Sequence, residues 1–308
     1  MSEGVVVLTG GVGGAKLVEG LYRRIPAAQL TAIVNTGDDF RHFGLPVSPD
    51  IDTLLYTLSG KANMRLGWGR EGETWSFMDA VRSLGGADWF NLGDGDLALH
   101  VLRRASLDAG RSLSCVTADF ARHWGLALSI LPMTDDPVAT WIDSDEGALP
   151  FQQYFVERQC APSVNAIRFV GAEAALPAPG VLEAISAAKA ILIAPSNPWL
   201  SIDPLLAVPA LRAALENRSV PLVAVSPLVG GNSVKGPTAK LMGELGLVVN
   251  NAAISRHYGS LLDGMVINSG DDEPGGLKIL ATDTLMKSAA DRERVALAAM
   301  ELAGLCAS

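Results

Sequence analysis

Four carboxylates, Asp38, Asp39, Asp50 and Asp52, fall within fifteen residues of one another and follow a glycine-rich run, Gly10, Gly11, Val12, Gly13, Gly14, with Lys16 just beyond it. Glycines let the backbone approach a ligand closely and turn with φ > 0. When a helix follows, the free N–H groups of its first turn and the positive end of its dipole face that ligand, which suits phosphate. Lys16 adds a positive point charge. Clustered carboxylates beside a phosphate are what Mg²⁺ uses, one or two protein ligands with water and phosphate oxygens completing the shell. This set predicts phosphoryl chemistry that works by positioning and charge neutralisation. Plainer readings exist for the parts. The spacing is neither G-x-G-x-x-G nor G-x-x-x-x-G-K-[ST], Asp38 and Asp39 suit a turn, and a helix cap at Ser48 or Asp50 explains one carboxylate. Capping does not explain four.

The elements that must position these residues can be read from hydrophobic spacing. A short β-branched run ends at Gly10 and an amphipathic helix follows, a strand–turn–helix unit. A second strand, 30–34, ends in Asn35, Thr36, Gly37, Asp38 and Asp39, and an apolar helix starts near Pro49. Strand-like segments return at 126–131, 138–142, 166–170, 190–193 and 222–225. The fourth of these ends in Ser196, Asn197 and Pro198, and the fifth in Ser226 and Pro227. Ligands of open parallel sheets bind outside the carboxyl ends of strands, so these polar loops point to one crevice. Helices are predicted at 204–216, 238–245 and 287–304. Between about 61 and 125 the alternation stops, and helices at 74–84, 96–109 and 113–124 read as a mostly helical insertion. The fold class is therefore α/β, a doubly wound, mainly parallel sheet forming a single domain over residues 1–308 with that insertion. Trp68, Trp75, Trp89 and Phe90 in the insertion can stack on a planar ligand or simply anchor it; Asp94 and Asp96 read as N-caps.

Composition narrows the function. The net charge of −9 with no basic run argues against a nucleic-acid surface. No apolar run approaches the ~20 residues of a membrane span, and the N-terminus has no charged leader region, so a soluble cytoplasmic protein is expected. Cys115, Cys160 and Cys306 are too few and too scattered for a disulfide framework or a zinc site. No Ser-His-Asp or Cys-His arrangement has local support among His42, His100, His123 and His257, which argues against nucleophilic catalysis.

The motifs in order, TGGVGGAKL, VNTGDDF, SPDIDTLLYTL, GWG, NLGDGDLALH, LPMTDDPVAT, APSNPWLSI, SPLVGG with KGPTAKLM, RHYG and TDTLM, run nearly end to end. On these motifs the chain resembles the 2-phospho-L-lactate transferase family of deazaflavin-cofactor biosynthesis. The resemblance implies a Rossmann-like core with an inserted domain and a Mg²⁺-dependent transfer. The ribityl 5′-hydroxyl of the deazaflavin precursor Fo attacks the distal phosphorus of a guanosine diphosphate diester, and GMP leaves. Carried over by position, Asp52 and Asn91 are implied Fo contacts. The glycine loop (Gly10, Gly11, Gly13, Gly14, Lys16), Asn35, Thr36, Asp38, Ser196, Asn197 and Pro198 are implied to line the nucleotide and diphosphate. Asp52 acts as base or as metal ligand with Asp39 and Asp50. Gly95 stands where an arginine is common in the family. The implied partners are the two small substrates, with no nucleic acid or membrane, and a homodimer is allowed for.

Two alternatives belong to other classes. One is a non-catalytic nucleotide-sugar-binding regulator resembling the YvcK group, which shares the glycine loop and Asp-Asp turn but carries Pro-Gly-Asp where this chain has SPDID. The other, an NAD-dependent dehydrogenase, lacks an acidic residue closing the second strand in a G-x-G-x-x-G context. Three expectations follow from the transferase reading. Asp52→Asn removes activity and leaves the fold intact. Gly13 needs φ > 0, so Gly13→Val abolishes nucleotide binding. The acid transferred, phospholactate, phosphoenolpyruvate or 3-phosphoglycerate, stays open, with Ser196, Asn197, Ser226 and Asn232 as candidate readers of it.

Overall fold

The computed structural model describes residues 4–234 and 236–305; Cys306 lies outside them. Seven strands form one parallel sheet: β1 (Gly4–Thr9), β2 (Leu30–Val34), β3 (Ser129–Pro132), β4 (Ala188–Ile193), β5 (Leu222–Val225), β6 (Gly264–Asn268) and β7 (Lys278–Thr282). Their order in space is β7-β6-β5-β4-β1-β2-β3. The chain winds outward from β1 to β3, returns to β4 on the other side of β1, and winds outward again. This is the doubly wound Rossmann-like arrangement, and its switch point falls between β1 and β4. The strands are nearly continuous apolar runs because both sheet faces are covered. Along β1 the side chains divide by period two: Val6 and Leu8 join one core, and Val5 and Val7 the other.

The glycine-loop helix α1 (Gly11–Tyr22) packs between α2 (Pro49–Leu58) and the C-terminal helix Ala289–Leu302. Residues 61–125 carry α3 (Ser76–Ser83), α4 (Asp94–Asp108) and α5 (Leu113–His123). Asp94 caps α3 rather than α4, accepting from Ser76 N (3.2 Å), Phe77 N (3.0 Å) and Thr74 Oγ1 (2.6 Å). Trp89 and Phe90 pack on the hairpin Phe40–His42/Leu45–Val47; the Phe40–Phe90 and His42–Trp89 centroids are 4.8 and 5.2 Å apart. They anchor the loop before α4.

Three expectations are corrected here. The segments near 138–142 and 166–170 are not in the central sheet: Ala139–Ser144 and Val164–Val170 pair antiparallel with Gly147–Pro150 in a separate three-stranded sheet. Ala139–Ser144 alternates half-buried with buried residues, the pattern of a strand covered on one face only. The sheet instead gains β6 and β7. The helix expected at 204–216 breaks into Asp203–Leu206 and Pro209–Glu216, because Pro209 offers no N–H and pushes Val208 into an extended conformation (φ −79°, ψ 112°). No helix among the described residues is long and apolar enough to cross a membrane.

Candidate active site

The carboxyl ends of β4, β1 and β2 are adjacent, with Thr9 level with Val34 and Leu8 level with Ile33 and Ile193. The three polar loops that follow are therefore brought together. They are also tied to one another. Asp50 accepts from Gly11 N (2.7 Å) through one oxygen and from Asn35 Nδ2 (3.0 Å) through the other, and Asn35 Oδ1 accepts from Gly37 N (2.8 Å). The Ser196 hydroxyl donates to Gly10 O (2.6 Å) and accepts from Gly10 N (3.3 Å). Asn197 caps the helical turn Pro198–Ile202, its Oδ1 accepting from Trp199 N and Leu200 N, and its Nδ2 is buried without a partner. Pro198 occupies the first position of that turn, where a missing N–H costs nothing.

The glycines divide by role. Gly11 takes φ +66°, and a Cβ there would meet open space, so this position turns the chain and leaves room for a ligand. A Cβ on Gly10 would come within 2.5 Å of Asp50 Oδ2, and one on Gly13 within 2.5 Å of Pro195 O; on Gly14 it would strike Thr9 Oγ1. These three permit close packing of the loop on its neighbours, and the φ > 0 expected at Gly13 belongs to Gly11. Lys16 lies one and a half turns along α1 and donates to Met286 O (2.8 Å).

Asp38 and Asp50 are buried, and burial drives both upward. Asp38 is held well above the ordinary carboxylate range by burial and then by Asp50. Asp39 is raised by burial against its hydrogen bond from Ser48 (2.7 Å). Asp50 rises to about 6, since burial outweighs its bonds from Asn35 and Gly11. One oxygen each of Asp38 and Asp39, and the Thr36 hydroxyl, are buried with no hydrogen-bond partner among the described residues. Acceptors of this kind, left unpaired in a buried acidic pocket, are the type of group a cation binds. No group of three or more His, Cys, Asp or Glu among the described residues is arranged to hold a metal by itself. Mg²⁺ asks for only one or two protein carboxylates beside its waters and phosphates, which the unpaired Asp38 and Asp39 oxygens fit.

The raised values have a consequence for stability. Unfolded Asp50 titrates near ~4 and folded Asp50 near 6, so its contribution is complete below about pH 4 and is lost as pH rises through about 6. Asp38 and Asp39 act in the same direction. Metal-free protein is expected to be more stable at pH 5 than at pH 8, by about 1–2 kcal/mol from Asp50 alone. Urea titrations at the two pH values check this; a higher midpoint at pH 8 would show that these carboxylates are not held up.

Asp52 is placed differently from its neighbours. Both its oxygens are bound by Arg103, through Nη2 to Oδ1 and Nη1 to Oδ2 (3.2 Å), so it is a poor candidate for the metal shell to which its spacing assigned it. Arg103 is 1% exposed and also donates to Pro46 O (3.3 Å). Burial opposes its charge, and the Asp52 carboxylate more than compensates, leaving the guanidinium raised. His100 Nδ1 lies 3.1 Å from Arg103 Nη1, and His100 Nε2 lies 3.3 Å from Asp96, which also accepts the Tyr56 hydroxyl. None of Arg103, His100, Tyr56 and Asp96 was named from sequence as a site residue, yet a signal existed. Positions 96, 100 and 103 share one face of α4, and 52 and 56 share one face of α2. Asn91 is exposed, accepts from Arg82 Nη2 (2.7 Å), and shares no hydrogen bond with the carboxylates. Ser226 and Asn232 are held locally, by Asn251 Oδ1 (2.6 Å) and Gly230 O (3.2 Å) respectively.

Comparison with known proteins gives the family and the fold. The family described as 2-phospho-L-lactate transferase CofD matches residues 5–303. A phosphoenolpyruvate transferase of Streptomyces griseus is 42% identical over 97% of this chain and 98% of its own length. One from Streptomyces coelicolor is 44% identical over 87% of this chain and 86% of its own. Among solved structures, a UPF0052-family protein of Bacillus halodurans superposes with a TM-score of 0.65 over 96% of this chain and 99% of that one, at 18% identity, a likeness of fold alone. Doubly wound sheet, glycine loop and full-length sequence similarity converge: the chain belongs to the 2-phospho-L-lactate transferase family and is a transferase.

Proposed function

We propose that the protein moves a phosphoenolpyruvyl group from a guanosine diphosphate diester to the ribityl 5′-hydroxyl of Fo, releasing GMP. The observation that carries this is the identity, 41–44% for the four Streptomyces and Kitasatospora relatives, to proteins named phosphoenolpyruvate transferase. Within the crevice, the N-terminus of α1 presents the amides after Gly11 to the diphosphate. Asn197 Nδ2 supplies a further buried donor at the end of β4. Asp38 and Asp39, with Asp50 behind them, would hold Mg²⁺, whose charge offsets that of the diphosphate and the leaving GMP. Asp52, fixed in place by the two bonds from Arg103, can still accept a hydrogen bond from the incoming 5′-hydroxyl and take its proton at a carboxylate oxygen as the new P–O bond forms and the bond to GMP breaks. Burial excludes water that would otherwise compete as nucleophile.

The test is direct. Purified protein with Fo, enolpyruvyl-diphospho-guanosine and Mg²⁺ is expected to form enolpyruvyl-phospho-Fo and GMP, seen by mass spectrometry, and to stop when EDTA is added. A preference for the lactyl diester would correct the donor; binding of Fo without turnover of any diester would overturn the reading.

A further inference from the structure

A cavity of about 70 Å³ lies between α1, α2 and the C-terminal helix, lined by Lys16, Thr53, Thr57, Asn63, Trp68 and Arg292 among others. That is more than twice the ~30 Å³ share of a water molecule in the liquid. Among the described residues its wall contains two cations, Lys16, whose Nζ also donates to Met286 O (2.8 Å), and Arg292, and no carboxylate, in a chain whose net charge is −9. Thr53 and Thr57 are four residues apart on α2, and Val12 and Lys16 four apart on α1, so each helix turns one face towards it. Arg292 is 6% exposed; it pairs with Glu19 through Nη1 and donates to Met64 Sδ (3.8 Å) through Nη2, yet its Nε is buried with no acceptor among the described residues. A buried donor without an acceptor is rare enough to point to an absent partner. The cavity is not remote from the chemistry. Val12 lies in the first turn of α1 and Thr53 near the start of α2, and the N-termini of these two helices meet at the bond from Gly11 N to Asp50.

We propose that this cavity receives the carboxylate of the transferred phospho-acid, so that Lys16, Arg292 and the two threonine hydroxyls read the donor's acid group. The assignment rests on the donor reading above and gives Lys16 a task other than phosphate binding. Of the candidate acid readers in the late loops, Ser196 and Ser226 are already engaged in holding those loops, and Asn197 Oδ1 in capping a turn. Enolpyruvate and lactate carry the carboxylate at the same position, so the cavity distinguishes phospho-acids from uncharged groups rather than one of these acids from the other.

The experiment compares two guanosine diphosphate diesters, that of enolpyruvate and that of its primary amide, with Fo as acceptor. Wild type is expected to favour the acid over the amide in kcat/KM by about tenfold or more, the scale of a charge-assisted hydrogen bond. Lys16→Met should bring that ratio close to one and Lys16→Arg should keep it. The isosteric double variant Thr53→Val with Thr57→Val should lower it without changing any charge. GDP, which has no acid group, should bind all variants as it binds wild type, which also reports that they are folded. An unchanged acid-to-amide ratio in variants that bind GDP overturns the inference, as does a rise confined to the KM for Fo, which would give the cavity to the acceptor. Equal use of both diesters by wild type removes the carboxylate reading alone. Transfer of neither diester removes the donor reading beneath it.

Discussion

Asp52→Asn is expected to lose about 10²-fold or more in kcat/KM with Fo, and also to unfold at lower urea concentration than wild type. The second effect reverses the expectation that the fold would not notice the change. Arg103 is buried and its nearest counter-charge is Asp52, with Asp39 a lesser contributor. Asparagine keeps one hydrogen-bond acceptor and removes the charge. Breaking a buried pair from one side costs about 3–5 kcal/mol, because the remaining ion stays desolvated without compensation. Removing both charges is much milder, so the double variant Asp52→Asn with Arg103→Met should recover most of the lost stability and none of the activity. Urea titration and steady-state kinetics on the single and double variants separate the roles. A single variant with the wild-type midpoint would show that the pair contributes nothing to folding, and turnover by the double variant would remove Asp52 from the chemistry.

Gly13→Val is expected to abolish GDP binding while leaving a folded protein, through a clash rather than through backbone conformation. Gly13 lies within α1, and its Cβ would sit 2.5 Å from the Pro195 carbonyl oxygen. The loop after β4 must then retreat, carrying with it Ser196, which bridges Gly10, and Asn197, whose buried Nδ2 has no partner among the described residues. Overpacking of this kind costs about 1–3 kcal/mol, less than a typical domain's stability. Gly11→Ala is the useful contrast: its methyl meets open space, and the cost comes from φ +66° alone, about 1–2 kcal/mol. Calorimetry with GDP on both variants distinguishes packing from conformation. Normal affinity in folded Gly13→Val would place the nucleotide away from this loop.

Local signals carried the crevice further than they carried its charge partners. The strand–glycine–helix unit and the polar ends of β2 and β4 were legible because each is written in a few consecutive residues, and a parallel sheet necessarily sets such ends side by side. Arg103 was not legible in that way. It lies 51 residues from Asp52, and only the packing of α4 on the Phe40–Val47 hairpin, with its side chains reaching across to α2, makes it a partner. The matching polar stripes on α2 and α4 were visible, but nothing in either helix says that the other is its neighbour. Lys16 shows the same limit: nearness in sequence to the glycine loop suggests phosphate, and the bond from its Nζ to Met286 O (2.8 Å), 270 residues on, has no local signal. The three-stranded sheet was confused with the central one although Ala139–Ser144 alternates and β1 does not, a difference of period that separates one covered face from two.

The consecutive arginines of α4 bear on how far members of the family can exchange parts. Arg103 holds Asp52 and Pro46 O, and Arg104 donates to Gly44 O (2.8 Å), so one turn of helix is clasped to both the acidic turn and the hairpin beside it. Grafting residues 61–125 from a homologue would therefore transplant the counter-ion of Asp52 without the surface it was fitted to. The transferable block runs instead from Phe40 to Gly125, taking hairpin, α2 and the α3–α5 segment together, and chimaeras cut at those two points should keep the Asp52–Arg103 pair intact whichever parent supplies the sheet.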